Sequence, residues 1–121
     1  MSHHENLPYL KHIIDAINDT EESVKNLSKT DFKNSKDIKD AAVRRIEIIG
    51  EAAKNISDEL KKIYPEIEWK KIMGARDVMI HAYFNVDLDV VWDIIKKDLP
   101  ILKKQILKIK DDLGLNHKNQ I

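Results

Sequence analysis

Residues 42–53, Ala-Val-Arg-Arg-Ile-Glu-Ile-Ile-Gly-Glu-Ala-Ala, lie in the middle of a long helical pattern. Apolar residues recur three or four positions apart through this stretch and on both sides of it, so they share one helix face. Ser35 is a suitable N-cap for this helix, and Asp37 in the first turn favours the same start. The predicted core face consists of Ile38, Ala42, Ile46, Ile49, Ala53 and Ile56.

Similar patterns predict helices along the rest of the chain. Three glycines, three prolines and 35% charged residues are typical of an all-helical protein. Pro100 interrupts one pattern, which predicts a kink or a new helix start near Asp98. Gly114 is expected to end the last helix, and residues 28–34 to form a connector. The other predicted helices run from about Leu7 to Leu27, from Ser57 to a stop at Pro65, from Glu68 to Phe84, and onward from Asp87.

These helices predict an all-α, antiparallel bundle of four or five helices. The length fits one domain, which we assign to residues 1–121, with mobile ends at 1–5 and 115–121. Two helices carry more apolar surface than one core needs, so we expect one surplus ridge to be covered by a second copy of the chain. Cover by a short helix or loop of the same chain is the alternative. The ridges are Ala41, Ile48 and Ala52 on the first helix, and Ala75, Val78 and Ala82 on the second.

The composition excludes several classes of site. The chain has 21 basic and 21 acidic residues, so its formal charge is zero and an RNA site would have to be a local patch. It has no cysteine, which excludes disulfides, Cys-based metal sites and a Cys nucleophile. No apolar run approaches the length of a membrane span and no signal peptide precedes the first helix, so we expect a cytoplasmic protein without a membrane partner.

The residues best suited to binding or catalysis are found in Arg76-Asp-Val-Met-Ile-His81-Ala-Tyr83, an R-x4-H-x-Y pattern. The apolar residues around it predict a buried helix, and burying unpaired charges there would be costly. Such a conflict between charge and burial is typical of functional sites. The apolar neighbours are Ile72, Met73, Val78, Met79, Ile80 and Phe84.

Helical spacing groups these polar residues. Arg76 and Tyr83 are seven positions apart and share one face, while Asp77 and His81 are four apart and form a neighbouring pair. A guanidinium that binds phosphate beside an imidazole that moves protons suits metal-independent cleavage of RNA, whose 2′-hydroxyl can serve as the nucleophile. The alternative is a polar cluster that only holds helices together.

Several sequence blocks, in their order and spacing, resemble a HepT-type protein of the HEPN superfamily (higher eukaryotes and prokaryotes nucleotide-binding domain) along the whole chain. Ala75 and Asn85 depart from the family pattern, where a larger apolar residue and a glycine are more common. Neither departure touches the proposed chemistry. The matching blocks are Tyr9-Leu10, residues 42–53, residues 64–69, residues 74–77, residues 81–84, Val86-Asp87, Val91-Trp92 and residues 98–100.

The resemblance implies a toxin of a toxin–antitoxin system, an endoribonuclease with a composite active site in the cleft of a homodimer. Arg76 would bind the scissile phosphate, His81 would act as general acid or base, and Asp77 would orient His81. The implied partner is an MntA-type nucleotidyltransferase antitoxin, which attaches AMP units to the motif tyrosine, here Tyr83. No cofactor or metal is implied.

Other residues have weaker assignments. Arg44, Arg45, Lys70 and Lys71 are candidate contacts to the RNA backbone, although such pairs are more often simply solvated. Glu51 lies opposite the core stripe of its helix, and the sequence leaves its role open. Two further functions remain open at this point: a non-catalytic HEPN module that binds nucleotides or partners a nucleotidyltransferase, and a structural dimerisation domain.

Overall fold

The computed structural model describes the backbone of residues 3–84 and 87–118 and the side chains of residues 3–80 and 87–114. This part of the chain is helical, which confirms the predicted all-α bundle. A 3₁₀ turn, His4–Asn6, precedes the first helix, and a π-helical turn, Ile94–Asp98, leads into the last. The α-helices are α1 Leu7–Val24, α2 Lys29–Asn34, α3 Lys36–Asn55, α4 Asp58–Ile63, α5 Trp69–Met73, α6 Ala75–Phe84, α7 Leu88–Asp93 and α8 Leu99–Lys118.

The centre of the bundle is the antiparallel pair of α1 and α3. Asn6, before α1, exchanges hydrogen bonds with Ser57, beyond the end of α3, while Arg45 in mid-α3 donates to Ser23 near the end of α1. The predicted core face of α3 is buried, with Ile38 only partly covered. Ser35 caps α3 as predicted, since its hydroxyl accepts a hydrogen bond from the backbone N–H of Ile38.

The segment predicted to be a connector contains the short helix α2, so that prediction is wrong. Ser28 and Asp31 form a reciprocal capping box: the Ser28 hydroxyl accepts from Asp31 N, and Ser28 N donates to the Asp31 carboxylate. Phe32 then fastens α2 to the core, because its side chain is fully buried and lies 5.2 Å from the Trp92 ring, centroid to centroid. Local capping and one aromatic anchor therefore stabilise six helical residues.

The predicted new start near Asp98 is confirmed, and its form is a wider helical turn. Leu99 N donates to the carbonyl of Ile94, five residues earlier, and α8 begins at Leu99. Pro100 has no N–H to continue a regular α-helical ladder, so a π-helical turn just before it is a way to join the two helices.

Three helix bounds differ from the prediction, the first being that α1 ends at Val24 and not near Leu27. Gly114 does not end α8, which continues to Lys118; no glycine in the described part of the chain has a positive φ, the conformation that lets glycine stop a helix. The predicted motif helix is divided instead, because Gly74 (φ −81°, ψ −2°) caps α5 and α6 begins after it. The mobility of residues 115–121 stays a prediction, since residues 119–121 and the side chains of 115–118 lie outside the described part.

Across the helices that the structure describes, none has both the length and the apolar content required to cross a membrane.

Candidate functional site

Helix α6, which carries the R-x4-H-x-Y pattern, lies at the surface of the bundle. Met79 is fully buried and anchors the helix to the core, but Val78 is 45% exposed and Ile80 41% exposed. Arg76 and Asp77 are exposed as well. The expectation of a buried motif helix is therefore wrong: one side of α6 packs on the bundle, and the described charged groups of the motif face solvent without a burial penalty.

Arg76 meets a carboxylate from another helix. Its Nη1 lies 3.4 Å from Oε1 of Glu51 on α3, and Nζ of Lys54 lies 3.7 Å from the same oxygen. Among the described side chains, Glu51 is the one that forms a hydrogen bond and ion pair with the Arg76 guanidinium. A contact on one edge of the guanidinium fork leaves other N–H groups able to bind an anion such as a phosphate.

The backbone at Gly50 explains how α3 reaches α6. A methyl group at this position would lie 3.1 Å from the carbonyl oxygen of Ile72 and 3.5 Å from the backbone nitrogen of Arg76. A residue without a side chain therefore lets α3 approach the junction of α5 and α6 closely. The next residue, Glu51, is brought to Arg76 by this approach. In the sequence, the glycine directly before Glu51 indicated that another part of the backbone approaches α3 at this point. Which residue meets Glu51 depends on how α3 crosses α6, and the sequence does not show that crossing.

The remaining motif residues are described only by their backbone. His81 and Tyr83 belong to α6, so they lie five and seven residues beyond Arg76 on one continuous helix. Their side chains lie outside the described part of the chain. The roles of His81 and Tyr83, and the orienting role of Asp77 toward His81, therefore stay predictions.

The four predicted RNA contacts are in different environments. Arg44 is exposed on α3, seven residues before Glu51 and hence on the same side of the helix, about 10 Å away along the axis. Arg45 is partly buried and donates from Nη1 to Ser23 Oγ (2.8 Å) and to the Asp19 carbonyl (3.4 Å). Arg45 therefore joins α3 to α1.

The two lysines lie on α5. Lys70 is exposed. Lys71 is exposed too, and its Nζ lies 3.7 Å from the Asp98 carboxylate and 3.9 Å from that of Glu68. Two nearby carboxylates reduce the attraction of Lys71 for another anion, so Lys70 is the stronger candidate of this pair.

An apolar groove of about 170 Å³ runs beside α6. Val78 contributes to it from α6, and Ile101, 60% exposed, contributes from α8. The competing ridge on α3 is better covered, since Ala52 is buried and Ala41 and Ile48 are partly buried. Of the ridge residues whose side chains the structure describes, Val78 on α6 is therefore the most exposed, while Ala82 of the same predicted ridge lies outside the described side chains. Six of the lining residues are Ile72, Ala75, Val78, Ile94, Ile101 and Leu102.

The described side chains contain no group of three His, Asp or Glu residues placed to hold a metal ion. In the described part of the chain, the candidate site therefore consists of the exposed Arg76 guanidinium, its carboxylate partner Glu51 and a neighbouring apolar groove.

Comparison with known proteins gives one consistent result. The family model described as "Ribonuclease HepT-like" matches residues 13–109. A protein of Thermococcus cleftensis named "Probable ribonuclease HepT" is 42% identical over 102 residues, which is 84% of this chain and 93% of that protein. A protein of Caldanaerobacter subterraneus named "Putative RNase" is 41% identical over 102 residues, covering 84% of this chain and 91% of that protein.

A longer relative also matches. It is a protein of Methanocaldococcus jannaschii named "Gamma-glutamylcyclotransferase and putative RNase", 46% identical over 112 residues. The match covers 93% of this chain but only 50% of that relative, so the chain spans half its length. No solved structure matches the chain.

Proposed function

Because the chain belongs to the HepT-like ribonuclease family, we propose that it is an endoribonuclease whose active site is built on α6. The observation that carries this proposal is the exposed Arg76 guanidinium, on the same helix as His81 and five residues before it. Five residues correspond to about 7.5 Å along a helix axis and about 140° around it, so the long Arg76 side chain has to bend toward the flank of His81 for both to reach one phosphodiester.

In the proposed reaction, Arg76 binds the non-bridging oxygens of the scissile phosphate and stabilises the charge that develops on them. His81 accepts the proton of the ribose 2′-hydroxyl as its oxygen attacks phosphorus. The bond from phosphorus to the 5′-oxygen breaks, and that oxygen takes up a proton. The products are a 2′,3′-cyclic phosphate and a 5′-hydroxyl. Since the nucleophile belongs to the RNA and the cation to the protein, the proposed step is metal-independent.

We place a second copy of the chain against the groove beside α6. Val78 and Ile101 are exposed there, and apolar surface of this kind favours association. Two α6 helices would then line a shared cleft, in which His81 of one copy and that of the other take complementary acid and base roles. The groove supports this arrangement because it adjoins the helix that carries Arg76.

Regulation by a nucleotidyltransferase completes the proposed toxin–antitoxin system. Tyr83 lies seven residues beyond Arg76, two turns along the same helix. AMP attached to its oxygen would add phosphate charge and bulk beside the guanidinium, and so compete with the RNA phosphate. Family membership and this helical spacing support the assignment of Tyr83 as the acceptor. Cleavage of cellular RNA is consistent with the expected cytoplasmic location, which stays a prediction.

The direct test is RNA cleavage by the purified protein and its variants. Arg76→Ala and His81→Ala should each reduce the rate at least about a hundredfold, the scale on which single acid–base or charge-stabilising groups act. His12→Ala is the matched control, because His12 is exposed on α1. Full activity in both motif variants would disprove the proposed site.

The toxin role needs a separate test in cells. Expression without a partner should arrest growth, and His81→Ala should relieve the arrest. Co-expression with a nucleotidyltransferase encoded nearby should add AMP-sized mass increments that are lost in Tyr83→Phe and kept in Tyr9→Phe. Increments that persist in Tyr83→Phe would place the modification elsewhere.

A further inference from the structure

The contact between Glu51 and Arg76 has little to contribute to folding. Both side chains are about half exposed, at 47% and 52%, and ion pairs of this kind stabilise proteins only slightly. A carboxylate beside a phosphate-binding arginine would also repel RNA. Glu51 is therefore expected to have another role, and the geometry of its contact with Arg76 indicates which.

Both ends of the pair are anchored to the same helix crossing. Gly50 brings the α3 backbone so close to α6 that an added methyl group would lie 3.5 Å from Arg76 N. Glu51 follows directly, so the positions from which the two side chains extend are fixed relative to one another. A long, exposed arginine samples many rotamers, and a carboxylate that extends from a fixed backbone position reduces their number.

The contact occupies only part of the guanidinium. Oε1 of Glu51 lies near Nη1, and no other described side chain makes a hydrogen bond or ion pair with the fork. Lys54, 3.7 Å from the same oxygen, adds a second positive charge. Glu51, Arg76 and Lys54 therefore carry a combined formal charge of +1 at neutral pH (−1 + 1 + 1), and the cluster still attracts a phosphate.

We propose that Glu51 is a positioning residue, which holds one edge of the Arg76 guanidinium so that the remaining N–H groups meet the scissile phosphate in the orientation of the transition state. The proposal rests on the proposed ribonuclease function and deepens it. Glu51 acts through Arg76 and does not touch the RNA.

Removing the carboxylate should have two effects of opposite sign. Loss of a negative charge should favour RNA binding, so KM should stay the same or fall. In Glu51→Gln the amide oxygen can still accept from Arg76, but without the charge the orienting contact is weaker. This should slow the chemical step, since misplacement of a binding group by about 1 Å can cost up to about a hundredfold in rate. A purely electrostatic role would lower KM and leave kcat unchanged, so the separation of kcat from KM distinguishes the two roles.

The test compares Glu51→Gln with Glu47→Gln, which removes the same charge one turn earlier on α3. Glu47 makes no ion pair with any side chain that the structure describes, so it controls for charge alone. We expect Glu51→Gln to lower kcat about tenfold or more without raising KM or changing the melting temperature. Glu47→Gln should leave kcat unchanged. Equal kcat in wild type and Glu51→Gln would overturn the proposal.

A double-mutant cycle then tests whether Glu51 acts through Arg76. In the Arg76→Ala background, Glu51→Gln should cause no further loss of kcat, because the group it positions is absent. A further loss as large as that seen in the wild-type background would mean that Glu51 contacts the RNA itself, and would also overturn the positioning role.

A measurement without RNA separates this proposal from the proposed function. Guanidinium NH signals of Arg76, assigned by their absence in Arg76→Ala, should be resolved in the nitrogen-15 spectrum of the wild type and broadened in Glu51→Gln. Signals that are identical in the two proteins would disprove the positioning contact, whether or not the protein cleaves RNA. Absence of cleavage by a wild type that shows this difference would instead contradict the ribonuclease function alone.

Discussion

Gly50 on α3 packs against the carbonyl oxygen of Ile72 on α5, and a methyl group in its place would lie 3.1 Å from that oxygen. This approach sets the distance between α3 and the junction that starts α6, and it brings Glu51 to Arg76. The fold and the proposed site therefore depend on the same close contact.

Gly50→Ala should destabilise the protein and reduce RNA cleavage. Alanine favours a helix over glycine by about 1 kcal/mol, but here the backbones of α3 and α5 would have to separate, and overpacking typically costs about 1–3 kcal/mol. We expect a net loss of about 1 kcal/mol in the free energy of unfolding, measured by urea denaturation.

Gly114→Ala is the matched control, because nothing lies within 4 Å of a methyl group at that position in α8. It should gain about 0.5 kcal/mol, less than the full helix preference because the helix end is near. A Gly50→Ala protein as stable as Gly114→Ala would show that the close approach is not required.

Val78→Glu should prevent dimer formation. A charge in the apolar groove would be desolvated at the proposed interface without a partner, which is unfavourable. Light scattering should give about twice the 14.1 kDa chain mass for the wild type and a single chain mass for the variant. Ile63→Glu is the control, because Ile63 is 54% exposed and does not line the groove. A dimeric Val78→Glu protein would place the interface on another surface.

Tyr64→Phe should lower stability in a pH-dependent way. The Tyr64 hydroxyl donates to Asp112 Oδ2 at 2.6 Å, and burial together with this hydrogen bond raises the pKa of Tyr64 from 10.0 to about 12. A raised folded-state pKa contributes stability that is fully present below pH 10 and is lost as the pH rises through about 12.

The expected loss in Tyr64→Phe is about 1 kcal/mol at pH 8, and it should shrink as the pH rises above about 10. Urea denaturation of both proteins at several pH values measures this difference, and absorbance titration should show a late-ionising tyrosine that Tyr64→Phe lacks. Tyr9→Phe serves as the control. A difference in stability that stays constant up to pH 12 would contradict the raised pKa.

Arg44 and Arg45 are adjacent in sequence but should respond differently to the same substitution. Arg45→Gln should lower the free energy of unfolding by about 1 kcal/mol, because it loses hydrogen bonds to Ser23 and Asp19. Arg44→Gln should leave stability unchanged. For RNA binding, it should reduce the slope of log K against log salt concentration by about the amount expected for one phosphate contact. Equal binding curves for Arg44→Gln and wild type would remove Arg44 from the RNA site.

Sequence periodicity was sufficient to predict where the long helices lie in the chain. The stripe of apolar residues on α3, together with the Ser35 cap, predicted a helix that the structure shows with nearly the same bounds. The new start at Leu99 also followed from Pro100 alone. In each case the determining interactions lie within a few residues of one another, so a local pattern contains them.

Features that depend on tertiary packing were not predictable in this way. The division of the motif helix at Gly74 and the continuation of α8 past Gly114 show that a glycine ends a helix only where the surrounding backbone requires it. The exposure of α6 depends on which helices cover it, and the contact between Glu51 and Arg76 depends on how α3 crosses α6. The periodicity of one helix does not show which other helices cover it or how they cross it.

Metal-independent cleavage through the 2′-hydroxyl is best tested by the chemistry of the RNA ends produced in the presence of EDTA. Wild type should form a 2′,3′-cyclic phosphate and a 5′-hydroxyl, Arg76→Ala and His81→Ala should form neither, and no cleavage should occur where the ribose at the cleaved position is replaced by deoxyribose. Products with a 3′-hydroxyl and a 5′-phosphate, or undiminished cleavage at the deoxyribose position, would contradict this mechanism.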